Sequence, residues 1–137
     1  MPEQETVLLI DDEREILRSV ALRMRCDGFR VISAWDGQQG LDLASKESPD
    51  AIVLDIRMPV MDGWTVLTHL KERSATACIP VVMLSASIQE RSYKRALDLG
   101  ARYFLEKPFD AGTLVGTVHA AIDEAHHSRG GVQRLKG

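Results

Sequence analysis

Five polar side chains of this sequence stand at or close behind the ends of short apolar runs. Asp11 and Asp12 follow Val7-Leu8-Leu9-Ile10, Asp55 follows Ala51-Ile52-Val53-Leu54, Ser85 follows Val81-Val82-Met83-Leu84, and Lys107, with Pro108 behind it, follows Tyr103-Phe104-Leu105 and Glu106. A carboxylate in such a place can simply cap the next helix, and for Asp11 or Asp12 alone that role would suffice. Three carboxylates brought to one crevice need something more. Two unit charges ~4 Å apart at an effective dielectric of about 20 repel by ~4 kcal/mol. A divalent cation, helped by the ammonium of Lys107, is the economical way to offset that repulsion. Ligation by one or two carboxylates with retained waters suits Mg²⁺ better than zinc or calcium. No cysteine or histidine falls at the end of an apolar run: His69 and His119 lie within amphipathic stretches, and His126-His127 lie near the C-terminus.

The elements that must carry these residues are legible from the spacing. Five apolar runs (the four above and Val31-Ile32) are too short for buried helices and rich in strand-favouring side chains. Three of them are apolar at four successive positions, as in strands covered on both faces. Between the runs the apolar spacing is helical. Ile16, Leu17, Val20, Ala21 and Met24 form one stripe, ended by Asp27-Gly28; Val66, Leu67 and Leu70 follow Asp62-Gly63; and Leu114, Val115, Val118, Ala121, Ile122 and Ala125 follow a cap at Asp110. Ser87-Ile88-Gln89-Glu90 has the form of a capping box, and Gly100 stands where the helix behind it needs a left-handed terminator. Five successive βα units imply a parallel sheet with helices on both faces. With the two weaker runs at the edges, the strand order is 2-1-3-4-5, which leaves a crevice at the carboxyl ends of strands one and three.

Composition agrees with a single ordinary domain. The chain has 137 residues, 45% hydrophobic and 27% charged, with 20 acidic against 17 basic side chains and a net charge of −3. That balance offers no positive surplus for gripping nucleic acid. No apolar run reaches the ~20 residues of a membrane-spanning helix. The acidic start (Met1-Pro2-Glu3-Gln4-Glu5) does not read as a signal peptide, so a cytoplasmic place is expected. Cys26 and Cys78 lie far apart in sequence and read as two buried, unpaired thiols. Residues 1–5 read as an N-terminal extension, 6–125 as the domain, and 126–137, where the periodicity is lost, as a frayed tail or the start of a linker.

Over Thr6 to Ala125 the sequence resembles the receiver domain of two-component response regulators. The resemblance rests on Leu9-Ile10-Asp11-Asp12-Glu13, Leu54-Asp55-Ile56-Arg57-Met58-Pro59-Val60-Met61-Asp62-Gly63, Leu84-Ser85-Ala86 and Glu106-Lys107-Pro108-Phe109, in that order and at receiver-like spacing. It implies a flavodoxin-like (βα)5 doubly wound fold, with Asp55 as the phosphoacceptor. Mg²⁺ would be held by Asp11, Asp12, Asp55 and the backbone carbonyl of Arg57, and Lys107 would pair with a phosphoryl oxygen. The Lys107–Pro108 bond is expected to be cis. Ser85 and Phe104 would form the switch, the ring turning inward once the Ser85 hydroxyl engages the phosphoryl group. The family more often has threonine at the first position, and tyrosine is the common alternative at the second. Arg57, Ala86 and Ser87 would flank the reacting group and tune its lifetime. The implied partners are a histidine kinase or histidine phosphotransfer protein, and a downstream protein or output domain meeting the fourth helix, fifth strand and fifth helix. No direct contact with nucleic acid or membrane is expected.

Rival readings fit the residues less well. A phosphatase using a strand-end aspartate nucleophile needs a second aspartate two residues on, where Arg57 stands. A flavin carrier on this fold needs a hydroxyl- and glycine-rich phosphate loop, and Asp11-Asp12-Glu13 would repel the phosphate. A purely structural domain has no use for five convergent polar groups. The length is read as a stand-alone receiver; the alternative is a receiver cut from a longer regulator.

Overall fold

The computed structural model describes residues 4–86 and 90–130. Its strands are β1 (Thr6–Ile10), β2 (Arg30–Ala34), β3 (Ala51–Asp55), β4 (Val81–Ser85) and β5 (Tyr103–Glu106). They alternate with helices α1 (Arg14–Cys26), α2 (Gly37–Glu47), α3 (Gly63–Glu72), α4 (Glu90–Asp98) and α5 (Ala111–Gly130). All strand pairs are parallel and the order is β2-β1-β3-β4-β5. The uniformly apolar runs are the central strands, as their lack of a polar face requires.

Alternation along each strand divides the core into two layers. Val7, Leu9, Val53, Val82 and Leu84 face Leu17, Val20 and Met24 of α1 and Leu114, Val118 and Ile122 of α5. Leu8, Ile10, Ile52, Leu54 and Met83 face Leu41 of α2 and Val66, Leu67 and Leu70 of α3, with Ala96 of α4. Every one of these side chains is less than a tenth exposed. At about 25 cal/mol per Å² of apolar area removed from water, the two layers supply the main drive for folding.

The turns follow local chemistry. Asp62 accepts a hydrogen bond from Thr65 N–H at 3.0 Å to cap α3, and Asp110 one from Thr113 N–H at 3.0 Å to cap α5. At α2, Asp36 accepts from Gln39 N–H at 2.8 Å while the Gln39 side chain accepts from Trp35 N–H at 2.9 Å. Gly28 and Gly100 close their helices at φ +97° and +98°, a backbone conformation that L side chains rarely adopt. Ser87, Ile88 and Gln89 of the capping box expected at Ser87-Ile88-Gln89-Glu90 lie outside the described residues, as does the chain beyond Gly130.

Two expectations need correction. Helix α5 runs to Gly130, so residues 126–130 are helical rather than frayed. His126 and His127 there are exposed, and His127 Nδ1 lies 3.0 Å from the Asp123 carbonyl one turn back. An apolar stripe marks where a helix packs, not where its backbone ladder stops. Cys26 and Cys78 are exposed rather than buried, because one ends α1 and the other lies in the loop before β4.

Candidate functional site

Registration of the central strands creates the site. Ile10 pairs with Leu54, so Asp11 and Asp55 emerge side by side where the chain order reverses between β1 and β3. Both are buried, at 2% and 3% exposure, whereas Asp12 is exposed. One oxygen from each of Asp11, Asp12 and Asp55 lies within 4.8 Å of the others. Such oxygens on a rigid sheet edge are the donor set a hard divalent cation takes. Asp11 does not cap α1, whose N-cap residue Glu13 has no side-chain cap hydrogen bond. Asp11 Oδ1 instead accepts from Glu13 N–H at 2.9 Å in the turn before the helix, while its Oδ2 faces Lys107.

Lys107 reaches this cluster from the end of β5. Its backbone N–H donates to the Ser85 carbonyl at 2.6 Å, and the Lys107–Pro108 bond is cis. The ammonium donates to Asp11 Oδ2 at 3.1 Å and Glu13 Oε1 at 3.0 Å, and lies 3.0 Å from Asp55 Oδ1. Burial alone would favour the neutral amine; the carboxylates outweigh it, so Lys107 is held above the usual lysine range. Burial raises Asp11. For Asp55, burial first and then the negative Asp11 lift the pKa from the ordinary 3.8 to about 6, against the pull of Lys107. Asp55 is therefore an ionised but under-compensated carboxylate near neutral pH, the state in which a nucleophile gains from an added cation.

The loop behind Asp55 is held tightly. Gly63 N–H donates to the Ile56 carbonyl at 2.8 Å, and a Cβ on Gly63 would stand 2.4 Å from the Asp55 carbonyl oxygen. Only glycine lets the start of α3 approach so closely. Met61 N–H donates to the Pro59 carbonyl at 2.8 Å across Val60, which has φ +70° and is fully exposed. A β-branched residue there stores strain of about 1–3 kcal/mol next to the site.

The remaining predicted residues are placed as follows. Ser85 ends β4, one position past the Asp55–Leu84 pair, and is half-buried. Ala86 and Arg57 are exposed in the adjoining loops, and Ser87 lies outside the described residues. Phe104 and Tyr103 project to opposite faces of β5. Phe104 already lies inward, 7% exposed, rather than turning in only when Ser85 engages a phosphoryl group as expected, with Tyr93 of α4 edge-on at 6.1 Å between centroids. Tyr103 turns toward α5 and donates its hydroxyl to Glu124 at 2.5 Å. Two contributors were not singled out from the sequence. Glu13 completes the set of carboxylates on Lys107, and Gly63, which the sequence marks as a helix start and as the end of the receiver-like Asp55 motif, also packs against the Asp55 backbone. The acidic run Asp11-Asp12-Glu13 was the available signal for the first.

A parallel sheet with buried aspartates and a lysine gathered at its switch point defines the class: a doubly wound domain with an acidic, cation-suited crevice at the carboxyl ends of its strands. The family model for the response regulator receiver domain matches residues 7–119. The transcriptional regulatory protein PrrA of Mycobacterium tuberculosis is 41% identical over 116 residues, covering 85% of this chain and 49% of PrrA. CpxR of Escherichia coli, also a transcriptional regulatory protein, is 38% identical over 122 residues, covering 89% of this chain and 51% of CpxR. Among solved structures, the Vibrio cholerae chemotaxis protein CheY4 superposes with a TM-score of 0.83 at 29% identity, covering 87% of this chain and 99% of CheY4. The receiver domain of the Francisella response regulator 1452 also gives 0.83, at 28% identity, covering 88% of this chain and 98% of that one. The chain belongs to the response regulator receiver domain family. It spans about half the length of the curated relatives it matches. Receiver domains work with Mg²⁺ and a phosphodonor, and the acidic cluster for such an ion is present. Among the described residues no helix is long and apolar enough to cross a membrane.

Proposed function

We propose that Asp55 accepts a phosphoryl group from a phosphohistidine of a sensor kinase or histidine phosphotransfer protein. The observation that carries this reading is a buried Asp55 carboxylate paired with Lys107 at 3.0 Å while still crowded by Asp11 and Asp12. An Asp55 oxygen attacks phosphorus in line, and the donor's N–P bond breaks with its electron pair staying on the imidazole. Lys107 moves one N–H to a phosphoryl oxygen and so holds the group in line. Asp11, Asp12, Asp55 and the Arg57 carbonyl would hold Mg²⁺. When bound, it neutralises charge on the transferring phosphoryl oxygens.

The new group carries about −2 charge and three strong acceptors, and the Ser85 hydroxyl would donate to it. Ser85 and Phe104 then bias the surface of α4, β5 and α5 between two states. Arg57, Ala86 and Ser87 set how readily donor and water reach the phosphoryl group. That surface passes the signal to a downstream protein or, as suits relatives named transcriptional regulators, to an output region. The domain itself occupies about residues 6–125, and the expected place of action is the cytoplasm.

Incubation with acetyl phosphate, with and without Mg²⁺, followed by intact mass tests the reading. One phosphoryl group is expected, dependent on Mg²⁺, released by hydroxylamine and absent from Asp55→Ala. Equal labelling of Asp55→Ala overturns it.

A further inference from the structure

An ammonium has three N–H donors. Those of Lys107 face three carboxylate oxygens, on Asp11 at 3.1 Å, Asp55 at 3.0 Å and Glu13 at 3.0 Å. Two of these contacts are hydrogen bonds, to Asp11 and Glu13, and the Asp55 contact is an ion pair, so a phosphoryl oxygen approaching Lys107 competes with all three carboxylates for the ammonium. The three are not equivalent. The side chains of Asp11 and Asp55 are 4% exposed, so releasing Asp11, or releasing Asp55 before its O–P bond forms and its charge passes to the phosphoryl group, strands a buried charge. Glu13 is 58% exposed, and water replaces Lys107 on its carboxylate at little cost. Glu13 also stands with Lys107 on the wall of an open groove of about 450 Å³, between Ile16 and Val20 of α1 and Phe109. It therefore lies on the solvent side of the ammonium.

We propose that Glu13 is a displaceable placeholder on Lys107. It occupies the donor that a phosphoryl oxygen later takes, and its charge discriminates against small anionic phosphodonors. Glu13 is a positioning residue, acting through Lys107, and the inference rests on Asp55 being the phosphoacceptor. With acetyl phosphate, an Asp55 oxygen forms the new O–P bond as the bond from phosphorus to the acetyl oxygen breaks. Acetate leaves with that electron pair, and no proton is transferred. Lys107 exchanges Glu13 for a phosphoryl oxygen during this step, and the Glu13 carboxylate turns to water.

The test compares wild type, Glu13→Gln and Glu13→Ala as intact proteins, following labelling by acetyl phosphate with Mg²⁺ across a salt series. Both variants should label about two- to fivefold faster than wild type at low ionic strength, the range an exposed ion pair supports. The advantage should vanish near about 1 M salt, where the Debye length is about 3 Å. A purely structural role would show no such salt dependence. In the metal-free protein, the ¹⁵N–¹H signal of the Lys107 ammonium should move in Glu13→Gln while the other lysines stay in place. Wild type that takes up no phosphoryl group refutes the underlying assignment of Asp55. Wild type that labels normally, with variants equal or slower at low salt, an advantage indifferent to salt, or an unmoved Lys107 signal, overturns the role of Glu13.

Discussion

Asp55→Asn should stabilise the metal-free protein near neutral pH and leave it almost unchanged in acid. The carboxylate is 3% exposed and its pKa is raised from 3.8 to about 6, by burial and then by Asp11. Below pH 3.8 the proton is bound in both folded and unfolded chains, and Asp55 contributes nothing. Between 3.8 and about 6 the unfolded chain has released the proton while the folded one keeps it, so stability falls as pH rises. Above that window the cost is complete. At about 1.4 kcal/mol per pH unit it amounts to about 3 kcal/mol, with roughly half already present by pH 5. Asn keeps the shape without the charge, so its advantage over wild type should grow by about 2 kcal/mol between pH 4 and pH 7. Urea unfolding followed by circular dichroism in EDTA measures both proteins at each pH, and their difference cancels groups such as the histidines that titrate in both. Mg²⁺ at pH 7 should raise the midpoint of wild type well above its effect on Asp55→Asn. A difference that stays flat, or that favours wild type as pH rises, would refute the claim that Asp55 is an under-compensated buried charge.

Lys107→Met removes the cation from three carboxylates and should cost about 3 kcal/mol in EDTA at neutral pH, while the rise in Tm on adding Mg²⁺ becomes larger than in wild type. Gly63→Ala places a methyl 2.4 Å from the Asp55 carbonyl oxygen and 2.7 Å from Ile56 Cα, atoms that cannot yield. A loss of about 1–3 kcal/mol in urea unfolding and slower labelling of Asp55 are expected. Phe104→Ala should cost about 3–5 kcal/mol as a buried aromatic, whereas Tyr103→Phe loses only the Glu124 hydrogen bond, about 1 kcal/mol, by the same measurement.

Periodicity carries information about packing, and for that reason most of the fold was readable beforehand. Uniform apolarity of β1, β3 and β4 implied burial on both faces and hence a central place, and the observed order agrees. The caps at Asp62 and Asp110 act through neighbours three residues away, so their local sequence sufficed. The last turn of α5 has no apolar stripe and left no mark that periodicity could read. The exposure of Cys26 and Cys78 depends on which surface their segments meet, and residue type alone misjudged it.

Within the site, the sequence by itself determined which residues arrive at the carboxyl edge of the sheet. Each of Asp11, Asp55, Ser85 and Lys107 ends or follows a strand, and parallel strands deliver their ends to one side. Tertiary structure alone decided how they share charge. Lys107 lies 94 residues from Glu13 and 96 from Asp11, and no local pattern says which carboxylates its three donors will meet. Nor can sequence separate Asp11 and Asp55, buried with raised pKa values, from the exposed Asp12 beside them. Ionisation depends on solvent access and on charges a few ångströms away, and the packed sheet sets both.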